Sequence, residues 1–303
     1  SVCLDLKKDS HKEIFLKLCD KADAIIENMR AGVMERLGLG FETISDRNKR
    51  IVYACVRGFG DPRTGESPYA HWPSLDAAAQ SFGGLVYAND GLVTPAIADI
   101  FPGTLAAFGL VSAIHESKTS GKGQFLDVSM YDAMLAFQKS AVAQYSFTGK
   151  PNPSGLQRAM TLYPFDLFPT KDGQVSIAVG QPHHWDLLCA AMDRGDMIND
   201  DRSATNNARL KNVEWVEEQI CAWTSQLTRT EIMAKLDGSL PAGPVQNMSD
   251  IFQDEHVAAR GMLDTCSPGG DNPNISLAAS PIKFSRSKTT LYQSPPRLGE
   301  HNK

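Results

Sequence analysis

Ile51-Val52-Tyr53-Ala54-Cys55-Val56 is a near-continuous apolar run, the pattern of a parallel strand covered on both faces. Upstream, Ala24-Ile25-Ile26-Glu27 is a second short buried-strand candidate, preceded by Ile14, Phe15, Leu18 and Ala22 at helical spacing. Residues 41–48 predict a short helix between the two strands. Val2-Cys3-Leu4-Asp5-Leu6 reads as a β-strand already in progress. This βαβ rhythm predicts an α/β fold with a Rossmann-like parallel sheet.

Downstream of the central run, residues 58–72 turn to Gly, Pro, Asp and Ser, which marks a surface loop. Helical patterns follow at 75–82 and 102–117, then a turn at 118–124, a strand at 125–128 and a long helix at 131–147. Residues 150–155 are rich in Pro, Asn and Gly and read as a domain linker. Beyond it, Gln174-Val175-Ser176-Ile177-Ala178-Val179 is a strand, followed by amphipathic helices around 184–192, 208–227 and 230–236. A turn-rich loop at 267–274 precedes short strands at Ile275 and Pro281-Ile282-Lys283-Phe284. The expected organisation is a large Rossmann-like domain over 1–150, a smaller α+β domain over 160–285, and a return to the large domain over 286–303.

The 303-residue chain is 42% hydrophobic and 21% charged, an ordinary globular balance long enough for two domains. A formal net charge of -5, with Lys and Arg spread along the chain, gives no footprint for nucleic acid. Apolar stretches such as 101–114 are broken by Pro, Gly, Thr or Ser, so no membrane span is expected. Cys3, Cys19, Cys55, Cys189, Cys221 and Cys266 form no C-x-x-C pair. They sit mostly beside apolar neighbours, as reduced core cysteines do, which points to the cytoplasm. No metal is called for.

Standard nucleotide signatures are absent. Gly38 and Gly40 begin a G-x-G pattern, but Thr43 stands where a third glycine belongs, and no Walker A sequence or G-x-S-x-G elbow occurs. His183 and His184 are adjacent, so on a helix they point about 100° apart and do not readily share a metal. Pro182 before them marks a helix start, and a surface or capping role follows. Asp99 precedes the helix expected from Pro102. It reads as an N-cap there, and a carboxylate held ionised by the helix dipole can also act as a nucleophile toward a thioester. Asp132 and Asp127 are weaker candidates. Arg30 and Arg36 follow one expected strand end and Arg57-Gly58-Phe59-Gly60 another. Ligands of open α/β sheets bind beyond such ends, so these cations either meet an anionic ligand or are simply solvated.

Ala22-Asp23-Ala24-Ile25-Ile26-Glu27-Asn28-Met29-Arg30-Ala31-Gly32-Val33-Met34-Glu35-Arg36-Leu37-Gly38 closely resembles the ADV-x-x-EN-F-R-P-G-V-x-x-R-L-G block of the class III CoA transferases, the formyl-CoA transferase and carnitine CoA-transferase family, whose superfamily includes 2-methylacyl-CoA racemases. Further blocks agree in order: Ala79-Gln80-Ser81-Phe82-Gly83-Gly84, Ala98-Asp99-Ile100, Thr119-Ser120-Gly121-Lys122-Gly123-Gln124, Pro241-Ala242-Gly243-Pro244-Val245 and Pro295-Pro296-Arg297-Leu298-Gly299. The resemblance implies an acyl-CoA substrate and a catalytic Asp99 that attacks its thioester. A mixed anhydride, an aspartyl-CoA thioester and attack by an acceptor carboxylate follow. It also implies CoA contacts at Asn28, Met29, Arg36 and Leu37, and at Leu4 and Lys7. Arg57 is a further candidate for the CoA site by its placement at a strand end. Family members form interlocked homodimers, and the family's first strands would precede Ser1, so the chain is expected to be N-terminally truncated.

Two departures matter. Leu75 stands where the racemase branch carries a histidine and some transferases a tyrosine, and a leucine cannot exchange a proton. The stretch 153–163 carries only Gly155 in place of a glycine-rich loop. CoA transfer is therefore the first reading, with an acyl-CoA racemase or isomerase, or a CoA-binding protein without turnover, as alternatives.

Overall fold

The apolar run at 51–56 becomes the middle strand of a parallel sheet, and the elements around it follow from what that strand needs on its two faces. The computed structural model describes residues 1–155, 161–267, 273–289 and 294–302. The chain divides into two units, 2–156 and 157–303, with Ser1 grouped with the second. In the N-terminal unit the elements are α1 (Asp9–Cys19), β1 (Ala24–Glu27), α2 (Val33–Arg36), α3 (Phe41–Arg47), β2 (Val52–Arg57), α4 (Asp76–Phe82), α5 (Leu85–Asn89), α6 (Ile97–Ser120), β3 (Phe125–Ser129), α7 (Met130–Phe137) and α8 (Lys139–Thr148).

The sheet runs β1-β2-β3, all parallel, with Ala24 opposite Val52 and Tyr53 opposite Phe125. Side chains alternate across a strand, so Tyr53 and Val56 serve opposite faces. Tyr53 joins Cys19, Met34, Leu39, Ile44 and Ile51 in one core cluster, and Val56 packs on a second made of Ala79, Leu85, Ala98, Met130 and Met134. Burial on both faces is why β2 is apolar without alternation. Gly123 lets the turn before β3 approach β2: its N–H donates to Lys49 O at 2.7 Å, and a Cβ there would collide with the Ile51 carbonyl.

Several expectations are corrected. Residues 2–6 form no strand; they find no ladder partner among the described residues, and Val2 is exposed. The helix expected from Pro102 begins at Ile97 and runs 24 residues across Pro102. By length and composition alone α6 could cross a membrane, which the broken apolar stretches did not suggest, although Ala98, Ala106 and Ala113 on it are buried in the protein. The helix expected over 131–147 breaks at Gln138, whose side chain donates to Gly83 O.

The C-terminal unit is α+β. Its elements are β4 (Phe165–Thr170), β5 (Gly173–Ala178), α9 (Pro182–Ala191), α10 (Asn206–Lys211), α11 (Val213–Thr224), α12 (Arg229–Leu236), β6 (Ala242–Pro244), α13 (Met248–Gln253), α14 (Glu255–Ala259), β7 (Leu263–Cys266) and β8 (Ile275–Ala278). β4, β5 and β6 pair antiparallel around a core of Phe168, Ile177, Trp185, Leu188, Ile220 and Ile232. The helix expected over 208–227 is interrupted at Asn212, where the backbone leaves the helical region at φ -119° and ψ 37°. The strand expected at 281–284 does not form. Of the sequence features above, 156–160 within the glycine-poor stretch and 268–272 within the turn-rich loop lie outside the described residues.

Candidate active site

Parallel strands present their carboxyl ends to one edge of the sheet, and there the chain must turn away, leaving a crevice. In the N-terminal unit this crevice is a cavity of about 820 Å³. The segment leaving β1 contributes Glu27, Asn28, Met29 and Arg30. The end of β2 contributes Arg57 and Gly58, the loop before α4 Trp72 and Leu75, and the first turns of α6 Asp99 and Gly103. Met29, Trp72 and Leu75 are exposed apolar side chains on its wall, and Trp72 lies 4.8 Å from the Tyr69 ring.

Asp99 is the third residue of α6, not its N-cap. Ala96 holds the cap position and offers no side-chain oxygen, while the carboxyl of Asp76 reaches across from α4 to accept the Ala98 N–H at 2.8 Å. The Asp99 carboxylate is thus free of the capping duty the sequence suggested. It makes no hydrogen bond or ion pair among the described residues. Asp99 is exposed to the cavity, and partial desolvation there and then the negative charge of Asp76 raise its pKa above the ordinary aspartate value. A first-turn carboxylate still faces the positive end of the helix dipole.

Arg57 lies at the cavity, but its guanidinium points into the protein, with only 3% of the side chain exposed. Nη2 donates to Glu27 Oε1 at 2.7 Å and Nη1 to Asp61. Burial opposes the Arg57 charge, and these carboxylates outweigh it, so its pKa is raised. Glu27 in turn accepts the Met29 N–H at 2.5 Å, which shapes the Asn28-Met29 turn. Arg57 is therefore a brace beneath the cavity and not a free cation for a ligand. Arg30 is exposed at the cavity without an ion-pair partner among the described residues.

The cavity gathers Asp99, Asn28, Met29 and Arg57 of the residues expected from sequence, and does not gather Leu4, Lys7, Arg36 or Leu37. Leu37 packs on the first core cluster, Leu4 is half-buried, and Lys7 and Arg36 are exposed. Asp127 is engaged in structure, accepting the Asp61 N–H at 2.8 Å and bonds from Thr64 and Cys55. Asp132 is exposed in the first turn of α7 and does not line the cavity. His183 and His184 open α9, with ring centroids 4.4 Å apart, and make no cap bond. Asp76 was missed by sequence reasoning; the only local signal is its i, i+4 spacing to Gln80, which its carboxyl meets at 2.8 Å.

The chain matches the CoA-transferase family III over residues 1–302. It is 39% identical to the succinyl-CoA:mesaconate CoA-transferase of Haloarcula hispanica, over 99% of this chain and 77% of that protein. To the acetyl-CoA:oxalate CoA-transferase of Acetobacter aceti it is 32% identical, over 94% of this chain and 73% of the relative. Among solved structures, a CAIB/BAIF family protein from Brucella suis superposes with a TM-score of 0.83 at 28% identity, covering 100% of this chain and 79% of that one.

Proposed function

The chain belongs to the CoA-transferase family III, an enzyme class that transfers CoA between an acyl-CoA and a carboxylic acid, and on that premise we propose that this protein does so through a covalent intermediate on Asp99. The observation that carries the proposal is a carboxylate with no internal partner and a raised pKa, standing in a cavity with apolar walls at the carboxyl ends of parallel strands. Asp99 attacks the thioester carbonyl and expels CoA thiolate, leaving a mixed anhydride. The thiolate then takes the aspartyl carbonyl, releasing the donor acid and forming an aspartyl-CoA thioester. The acceptor carboxylate attacks the aspartyl-CoA carbonyl and expels CoA thiolate, leaving a second mixed anhydride, and the thiolate then attacks the acceptor's carbonyl, forming the new acyl-CoA and freeing the Asp99 carboxylate. In every step the acyl bond broken is replaced by a new one, thioester alternating with anhydride, which is how covalent catalysis divides a difficult transfer.

Small carboxylic acids, dicarboxylates first, are the substrates to try, because relatives are named for succinyl-CoA with mesaconate, for oxalate and for succinate with glutarate. Exposed Arg30 offers an anionic substrate a cation, and Asn28 and Met29 lie beside it for CoA. Leu75 on the cavity wall stands where the racemase branch carries a histidine, and among the described residues no histidine lines the cavity with Asp99, which disfavours racemisation. We place the enzyme in the cytoplasm and expect a homodimer.

Intact-mass analysis of the protein mixed with a panel of acyl-CoA donors, trapped with hydroxylamine or borohydride, tests the proposal. An adduct mapping to Asp99, absent from Asp99→Asn, is expected. Transfer that persists in Asp99→Asn would end the covalent reading.

A further inference from the structure

The first amides of an α-helix have no carbonyl partner inside the helix. At α6 the residue in the cap position, Ala96, has no side-chain acceptor to offer them. Asp76 supplies one from another helix: its Oδ1 accepts the Ala98 N–H at 2.8 Å. Its Oδ2 accepts from Gln80 Nε2, also at 2.8 Å. Gln80 is fully buried and holds both backbone groups of Val93, donating to the carbonyl and accepting the N–H at 2.9 Å each. One turn of α4 thereby grips the chain at Val93 and again at Ala98, on either side of the segment that leads into Asp99.

A cap on residue 96 would satisfy the same amide but would not tie this segment to α4. The difference matters for a nucleophile, whose line of attack depends on where its backbone is held. We propose that Asp76 is a positioning residue for Asp99, braced by Gln80: by capping α6 from outside, it fixes the backbone at residue 98 and with it the approach of the Asp99 carboxylate to the thioester. The inference rests on Asp99 being the nucleophile.

Asp76 also leaves an electrostatic trace, because after partial desolvation its charge is the second cause of the raised pKa of Asp99. Of the other charged groups around α6, Glu27 and Arg57 are paired at 2.7 Å, Arg30 is exposed at the cavity, and Asp132 on α7 is exposed outside it. A purely structural Asp76 would cost stability on substitution and leave the pH dependence of turnover untouched.

Wild type, Asp76→Ala, Asp76→Asn and Asp99→Asn, each as the full chain, are compared by hydrogen exchange over residues 93–101 and by steady-state transfer across pH. Asp76→Ala is expected to speed exchange at the Ala98 amide and to lower kcat on the order of a hundredfold, with the acyl-CoA KM unchanged. Asp76→Asn keeps an acceptor oxygen for that amide and recovers part of kcat. Having lost the charge, it should stay active to lower pH than wild type. Unchanged exchange and kcat in Asp76→Ala would overturn the proposal, as would Asp76→Asn matching Asp76→Ala in kcat with an unmoved acid limb. Turnover surviving in Asp99→Asn would instead remove the nucleophile the proposal rests on, while the exchange data still decide who caps α6.

Discussion

Replacing Arg57 with methionine should destabilise the N-terminal unit strongly, and the structure sets the size of the effect. The Arg57 side chain is 3% exposed and sits between Glu27, 6% exposed, and Asp61, 1% exposed. Removing one partner of a buried ion pair costs about 3–5 kcal/mol, because the other charge is left behind. Asp61 keeps a second cation, Arg63 at 3.0 Å, so the loss falls mainly on Glu27 and belongs at the low end, about 3 kcal/mol. For a unit of this size that is a fall in Tm of about 6–12 °C. An orphaned buried carboxylate sheds its charge by taking up a proton. The folded variant then binds more protons than the unfolded chain, so its deficit should narrow as pH falls from about 7 to about 5. Thermal and urea denaturation of wild type and Arg57→Met at both pH values measure this. A deficit under about 1 kcal/mol, or one that widens on acidification, would refute the reading of Arg57 as an internal brace.

Two further outcomes are expected. Asp99 must be ionised to attack and its pKa is raised, so kcat should fall on acidification at a pH above the ordinary aspartate range of about 4; a limb at or below that value contradicts the raised pKa. Gly123→Ala should cost about 3 kcal/mol or more in urea denaturation, because the new methyl meets the Ile51 carbonyl, which β2 cannot move; a neutral result would mean that the turn before β3 is looser than described.

Much of the N-terminal unit was legible in the sequence because its signals are local. β2 buries both faces, so Val52 to Cys55 had to be apolar without alternation. The short β1 and β3 are also apolar runs, although β1, read as a buried strand, is only half-buried with Ile26 exposed, and the ordered blocks around Asn28, Gln80 and Asp99 pointed to the reaction class. The C-terminal unit was read less well. β6 is three residues long and exists only because Ala242 to Pro244 lie against β5.

Local sequence signals are enough for the parallel sheet, the position of Asp99 near a helix start and the cluster of residues that leave β1. The remaining features depend on partners far along the chain. The start of α6 moved from Pro102 back to Ile97 because its cap comes from Asp76, outside any local window, and this freed Asp99 from capping. Residues 2–6 look like a strand but lack a ladder partner among the described residues, without which extended backbone is not a sheet. Arg57 has the placement of a ligand-binding cation, yet Glu27 and Asp61 draw it inward, since a buried carboxylate left without a cation costs more than a solvated arginine gains.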